Sequence, residues 1–159
     1  MIKYSGYLIV VDEMEPVKHF YAEVLQQKLK VDSPEYVVFE GEFCLFLKRN
    51  FLPILKDAAR YPITYRANNG ELYFESNDIE ADEARLRAAG TEFLHPIQEQ
   101  PWAQRVMRFY DPIGTLVEVG EDMSIVIRRF QAQGMSLEQI SQRIGFDVPM
   151  IQDILARSD

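Results

Sequence analysis

The order of predicted secondary structure occurs twice along this chain, and no other feature limits the fold as strongly. Residues 7–11 have the apolar, β-branched character of a buried strand, and residues 15–28 place apolar side chains at helical spacing. Three strand-like segments follow before residue 50. After an irregular connector over residues 51–69, a strand, a helix and three strands come again. Two modules with one order of elements indicate an internal duplication.

The second module is predicted from residues 70–121, as the first is from residues 1–50. Its helix is expected over about residues 79–89, with Asn77 or Asp78 as the N-terminal cap and Gly90 as the stop. Its strands are expected in the segments ELYFES, TEFLH, QRVMRFYD and GTLVEVGE. We therefore expect an α+β domain over residues 1–121, built from paired βαβββ modules.

Composition excludes several classes of partner. The formal net charge of −8 and the pI near 4.8 argue against nucleic acid or an anionic membrane, because either partner requires a basic surface. The single cysteine, Cys44, lies in an apolar run, so no disulfide framework is expected. The apolar stretch near the N-terminus is too short for a signal peptide or a membrane span. We expect a cytoplasmic protein whose partner is a small molecule or another protein.

The last segment, residues 122–159, is predicted to be a helical tail. Its SLEQ sequence at residues 136–139 is a capping box, and Gly145 separates two amphipathic helices, as in a helix-turn-helix. From residue 124 onward, however, four arginines are balanced by four acidic residues, which does not suit a DNA-binding surface. The pattern favours an amphipathic cap that packs on the domain or on a partner subunit.

A carboxylate in the middle of a strand is the first candidate for function. Glu118 stands between valines in an apolar run, and alternation along the strand turns it away from Val117 and Val119. The same alternation places Arg108 where it could approach Glu118, either to recognise an anionic group or to neutralise the carboxylate. Trp102 follows a proline on the preceding loop and either closes a pocket or packs on its rim.

Two segments carry a resemblance to a known superfamily. MEPVKHFYAEVL opens the first predicted helix, and FYDPIGTLVEVGE, with its Asp-Pro-x-Gly turn and following glutamate, closes the second module. With the module order, they resemble the vicinal oxygen chelate superfamily, which includes glyoxalase I, bleomycin-resistance proteins, fosfomycin-resistance enzymes and extradiol dioxygenases. The resemblance covers residues 4–121. It implies a curved, cup-like sheet with four metal-ligand positions on its inner wall.

Only two of those four positions carry metal-binding side chains in this sequence. The resemblance places Glu118 and Glu71 at the second module's ligand positions, with Gly6 and Phe46 at those of the first. Two carboxylates could hold a weakly bound divalent ion such as Mg²⁺, Mn²⁺ or Ni²⁺, completed by water and ligand oxygens. Zinc, with its usual nitrogen and sulfur ligands, is not expected.

The resemblance leaves two functions open. The first is a metal-assisted enzyme of glyoxalase or lyase type, with Glu118 as the catalytic residue and Glu118 and Glu71 as metal ligands. The second is a metal-independent protein that binds or sequesters a small oxygen-rich molecule. In either case we expect the ligand-binding residues to include Arg108, Trp102, Phe46 and Tyr73, and the protein to be a homodimer. His19 and His95 are interpreted as surface or rim residues, since neither has partners at metal or triad spacing.

Overall fold

Each predicted module forms its own four-stranded mixed sheet. The computed structural model describes residues 1–57 and 59–157. The first sheet has the spatial order β1-β4-β3-β2, with β1 parallel to β4 and the other pairs antiparallel. Its strands are β1 (Tyr7–Val11), β2 (Leu29–Asp32), β3 (Tyr36–Phe39) and β4 (Phe43–Leu47).

The second sheet repeats this topology in the order β5-β8-β7-β6, again with one parallel pair. Its strands are β5 (Glu71–Ser76), β6 (Glu92–Glu99), β7 (Arg105–Tyr110) and β8 (Leu116–Glu121). The predicted α+β class and the paired modules are therefore confirmed. β6 is longer than the five-residue segment predicted for it, because strand pairing to β7 continues past Pro96 with shifts of register.

The first helix is shorter than predicted. α1 spans Met14–His19 and continues as a π-helical turn over Phe20–Val24, so the helical segment ends before residue 28. Gln26 has a φ of 54°, a left-handed conformation that stops the helix. The connector predicted over residues 51–69 also begins within ordered structure, since α2 (Lys48–Phe51) and a 3₁₀ turn (Leu52–Leu55) lead into it.

One hydrophobic core lies between the two sheets, with the first helix at its centre. Tyr21 packs on Phe39 and Phe43 of the first sheet, with ring centroids 5.7 and 5.1 Å away. Its neighbour Phe20 packs on Phe109 of the second sheet at 6.2 Å. The two sheets therefore direct one face each toward a shared core, and their other faces point away from it.

The two outward faces differ in chemistry. The face of the first sheet, called here the apolar face, carries Leu8, Val10, Tyr36, Val38, Cys44 and Phe46. The face of the second sheet, called here the polar face, carries Glu71, Tyr73, Glu75, His95, Arg108 and Glu118.

The predicted helical tail is confirmed and has a small core of its own. Three helices form it: α4 (Met123–Ala132), α5 (Leu137–Ile144) and α6 (Val148–Arg157). The predicted capping box is present, since the Ser136 hydroxyl accepts from Gln139 N and the Gln139 side chain accepts from Ser136 N. The remaining helix, α3 (Ile79–Ala88), begins at Asp78, whose side chain caps it. No helix in the described part of the chain could cross a membrane.

Candidate functional site

A row of four side chains crosses the polar face at its centre. Strand pairing sets Tyr73 beside Glu118, Glu118 beside Arg108, and Arg108 beside His95. Directly paired residues on one face of a sheet lie about 5 Å apart at Cβ, and Arg108 contacts both Glu118 and His95. The row therefore joins three residues predicted for the site with a histidine that was interpreted as a rim residue.

Glu118 is almost fully buried although it lies on the outward face. The residue is 5% exposed, and its carboxylate forms an ion pair with Arg108 Nη2. Its Oε2 atom receives no well-aligned hydrogen bond from any described residue. A buried carboxylate is stable only when a cation or hydrogen-bond donors compensate it. Arg108 supplies the charge, since its Nη2 contacts this same Oε2 atom.

Arg108 is shared between two carboxylates. Its Nε donates to Glu71 Oε2 at 3.1 Å, while its Nη2 contacts Glu118. Its Nη1 lies 3.3 Å from His95 Nε2. Glu71 and Glu118 are thus neighbours on adjacent strands, with the guanidinium between them. The site combines two negative charges with one positive charge.

A second set of hydrogen bonds positions the two aromatic side chains at the edge of the polar face, Tyr73 and Trp102. Gln104, which is 4% exposed, donates from Nε2 to the Tyr73 hydroxyl at 2.8 Å and accepts from Trp102 Nε1 at 2.9 Å. The same amide donates to the Glu121 carbonyl at 2.8 Å. Gly120 makes room for this amide, because a Cβ there would lie 2.7 Å from Gln104 Nε2. Sequence reasoning missed Gln104, although alternation had placed it on the same face as Arg108.

The turn before β8 fixes the register that places Glu118. Asp111 Oδ1 accepts from the backbone N–H groups of Ile113 and Thr115, and its Oδ2 accepts from the Tyr21 hydroxyl at 2.8 Å. Gly114 has a φ of 87°, which favours glycine at this turn. Burial raises the pKa of Asp111 above its ordinary value, although these hydrogen bonds act in the opposite direction. The Asp-Pro-x-Gly motif is therefore a turn anchored to the core through Tyr21.

The structure does not bring Phe46 to this cluster. Phe46 lies on the apolar face, where its ring packs on Tyr36 at 5.6 Å and on Phe51 at 6.3 Å. The resemblance made Gly6 and Phe46 the counterparts of Glu71 and Glu118. Strand pairing instead places Leu8, two residues after Gly6, in the position relative to Phe46 that Glu71 has relative to Glu118. Gly6 has a separate reason to be glycine: a Cβ there would lie 2.5 Å from the Glu42 carbonyl oxygen.

The arrangement does not fit a resident metal ion. Within residues 1–57 and 59–157, no group of three or more histidine, cysteine, aspartate or glutamate side chains is placed to hold one. Glu71, Glu118 and His95 all approach the Arg108 guanidinium instead. The guanidinium occupies the space where a cation would satisfy both carboxylates.

Two open sheets of the same strand order, a shared core and a carboxylate on the last strand define the class: the protein is a member of the vicinal oxygen chelate superfamily. Residues 4–124 match the family model described as a glyoxalase-like domain. The chain belongs to that family. The tail beyond residue 124 lies outside the matched region.

Solved structures show the same fold. A protein of unknown function from Agrobacterium tumefaciens is 32% identical with a TM-score of 0.65, and the match covers 76% of this chain and 94% of that one. A lactoylglutathione lyase from Agrobacterium tumefaciens is 21% identical with a TM-score of 0.57, at the same coverage. A glyoxalase/bleomycin resistance protein/dioxygenase family enzyme from Burkholderia phytofirmans is 16% identical with a TM-score of 0.62, covering 74% and 96%. No protein with a curated function matches the chain.

Proposed function

We propose that the protein binds a small, neutral, hydroxyl-rich molecule on the polar face, without a resident metal ion. One observation carries this proposal: the Arg108 guanidinium is already matched by Glu71 and Glu118, so the site has no positive charge left for an anionic ligand. The net charge of the three groups is −1. An added carboxylate or phosphate would be repelled, whereas hydroxyl groups donate well to carboxylate oxygens.

The hydrogen-bonding capacity of the site supports a ligand with adjacent hydroxyl groups. Glu71 keeps a carboxylate that is 35% exposed, and the Glu118 carboxylate lies beside it, against the same guanidinium. Hydroxyl groups on neighbouring carbons could reach both carboxylates at once. The exposed rings of Tyr73 and Trp102, which are 47% and 41% accessible, offer contacts for an apolar part of the same molecule. We therefore assign the ligand to vicinal diols that carry a hydrophobic body.

A second copy of the chain would complete the site. The apolar face carries two exposed hydrophobic side chains, Leu8 and Tyr36, at 36% and 37% accessibility. Laid over the polar face of a partner, it would supply a hydrophobic wall opposite Arg108, and Phe46 would then join the ligand-binding residues. This assignment predicts a homodimer. Light scattering tests it, and a Leu8→Lys variant should shift the mass toward the 18.5 kDa monomer.

Titration of Trp102 fluorescence with alkane-1,2-diols of increasing chain length tests the proposed ligand class. Trp102 is the single tryptophan of the chain and stands at the edge of the site. We expect saturable changes whose affinity rises with chain length, and no response to matched alkanoates. The Glu118→Gln variant should bind about 5- to 150-fold more weakly, the range for losing a charged hydrogen-bond partner. Equal affinity in parent and variant, or stronger binding of the alkanoates, contradicts the proposal.

Metal-assisted chemistry with Glu118 as the catalytic residue is the second candidate. Two features favour it: the buried carboxylate of Glu118 on the last strand of the second module, and the similarity of the fold to a lactoylglutathione lyase. It requires Arg108 to move away from Glu71 and Glu118 so that Mg²⁺, Mn²⁺ or Ni²⁺ can take its place. Isothermal titration with each ion distinguishes the two candidates, since only the second predicts binding that Glu118→Gln abolishes.

A further inference from the structure

The segment over residues 100–104, called here the Trp102 loop, joins β6 to β7 in a conformation that needs external support. Ala103 has a φ of 67°, a left-handed conformation that costs a residue other than glycine about 1 kcal/mol or more. Two backbone hydrogen bonds close the turn: Ala103 N donates to Gln100 O, and Gln100 N donates to Gln104 O, each at 2.8 Å. Such a conformation persists only where surrounding contacts fix it.

The C-terminal helices provide those contacts from behind the loop. Arg143 of α5 donates from Nη1 to the Pro101 carbonyl at 2.8 Å, and Arg129 of α4 donates from Nη2 to the Ala103 carbonyl at 2.9 Å. The two guanidinium groups thus bind the carbonyls on either side of Trp102. Each arginine is also paired with Glu99 at the end of β6, at 2.7 and 3.4 Å. Hydrogen bonds from charged donors are about twice as strong as neutral ones.

Packing reinforces these hydrogen bonds. The Ala103 side chain is fully buried, and it belongs to the hydrophobic cluster of the tail rather than to the core between the sheets. The cluster surrounds it with side chains from all three helices, among them Val126, Ile140 and Ile151. The loop is therefore attached to the tail by a buried methyl group and by two arginines.

The other side of the same loop faces the candidate site. Trp102 donates its indole N–H to Gln104, and Gln104 donates to the Tyr73 hydroxyl. We infer that the C-terminal helices are part of the ligand site, with Arg129 and Arg143 as positioning residues for Trp102 and, through Gln104, for Tyr73. The inference rests on the proposed function where it assigns both rings to the ligand. It gives the part of the tail beyond residue 124, which lies outside the matched family domain, a role in forming the site.

Acrylamide quenching of Trp102 fluorescence tests the inference without any ligand. Arg143→Met is the informative variant, because the hydrogen-bond partners of Arg143, Pro101 and Glu99, lie at or next to the loop and its side chain is 38% exposed. Gln142→Met, an exposed neighbour on the same helix, is the matched control, and Arg143→Lys keeps the charge and one donor. We expect the quenching constant of Arg143→Met to be about 1.5 to 2 times that of the parent protein, as for local opening of a loop. Arg143→Lys should restore part of the difference.

Two outcomes overturn the inference: unchanged quenching and emission maximum in Arg143→Met, or an equal change in Gln142→Met. Gln104→Leu serves as a second variant, because it breaks the link to Tyr73 directly and should expose Trp102 whether or not Arg143→Met folds fully. Circular dichroism of each variant checks folding. Failure of alkane-1,2-diols to bind the parent protein would count against the proposed function alone, since the quenching experiment contains no ligand.

Discussion

The apolar and polar faces occupy equivalent places in two copies of one module, yet they have opposite chemistry. Tyr36 pairs with Phe46 across β3 and β4 just as Arg108 pairs with Glu118 across β7 and β8. The first pair is an edge-to-face aromatic contact, and the second is a buried ion pair. Strand order and alternation thus determine which positions face outward, and the residue types at those positions decide what the surface can bind.

The same contrast extends to buried charge. Among the described residues, the buried carboxylates are Asp111, Glu118 and Glu121, all in the second module or the turn within it. Each has a defined partner: the Tyr21 hydroxyl, Arg108, and Arg105 with Arg129. The second sheet therefore depends on electrostatic pairing in a way that the first does not, and this difference can be tested.

Replacing the equivalent residues Arg108 and Tyr36 by alanine should give the largest contrast. Arg108→Ala leaves Glu118 buried without a cation, and we expect a loss of about 2 to 4 kcal/mol in the free energy of unfolding. Tyr36→Ala removes one partly exposed ring from Phe46 and should cost about 1 kcal/mol. Urea unfolding measures both. Similar losses for the two variants would show that the ion pair is no more important to its sheet than the aromatic pair is to the other.

Lowering the pH should weaken the second sheet and the tail before the first sheet. Burial alone would raise the pKa of Glu121, but the hydrogen bonds from Arg105 and the charge of Arg129 outweigh it and hold this pKa below its ordinary value. A lowered pKa means stability that is present above the unfolded value of about 4.3 and is lost as the pH falls through the folded value. We therefore expect the protein to lose stability as the pH falls below about 4.

Urea unfolding as a function of pH, compared with Glu121→Gln, measures this contribution. The variant should show a flatter dependence on the acidic side. Asp111 has the opposite effect on stability, because its raised pKa favours the protonated folded state at low pH. The pH dependence of the parent protein therefore reflects the contribution of Glu121 less that of Asp111. Hydrogen exchange locates the effect. Earlier loss of protection in the first sheet would contradict the assignment.

The fold was largely predictable from the sequence, because alternation, turn residues and the repeated order of elements are local signals. The ligand cluster was only partly predictable. Alternation placed Arg108 and Glu118 on one face, but the contact with His95 depends on a register shift in β6 that no local pattern encodes. The loop conformation of Ala103 likewise depends on Arg129 of α4 and Arg143 of α5, whose hydrogen bonds to the loop span 26 and 42 residues. Such contacts between distant residues appear only once the sheets and helices are assembled.

The two carboxylates that share Arg108 should differ in their contribution, and replacing Glu71 should have the smallest effect of all. Their side chains differ in exposure, at 35% for Glu71 and 6% for Glu118, although both approach the same guanidinium. Water and salt screen an exposed pair, so Glu71→Gln should cost no more than about 0.5 to 1 kcal/mol in the free energy of unfolding. Glu118→Gln should cost about 1.5 to 3 kcal/mol, because it removes a charged partner from a nearly dry site.

Salt should distinguish the two variants further: high ionic strength should abolish the effect of Glu71→Gln and leave most of the effect of Glu118→Gln. Urea unfolding at low and high salt measures both. If the two variants lose equal stability and respond equally to salt, then Glu118 is as well hydrated as Glu71, and the polar face has no buried charge on which to base a ligand site.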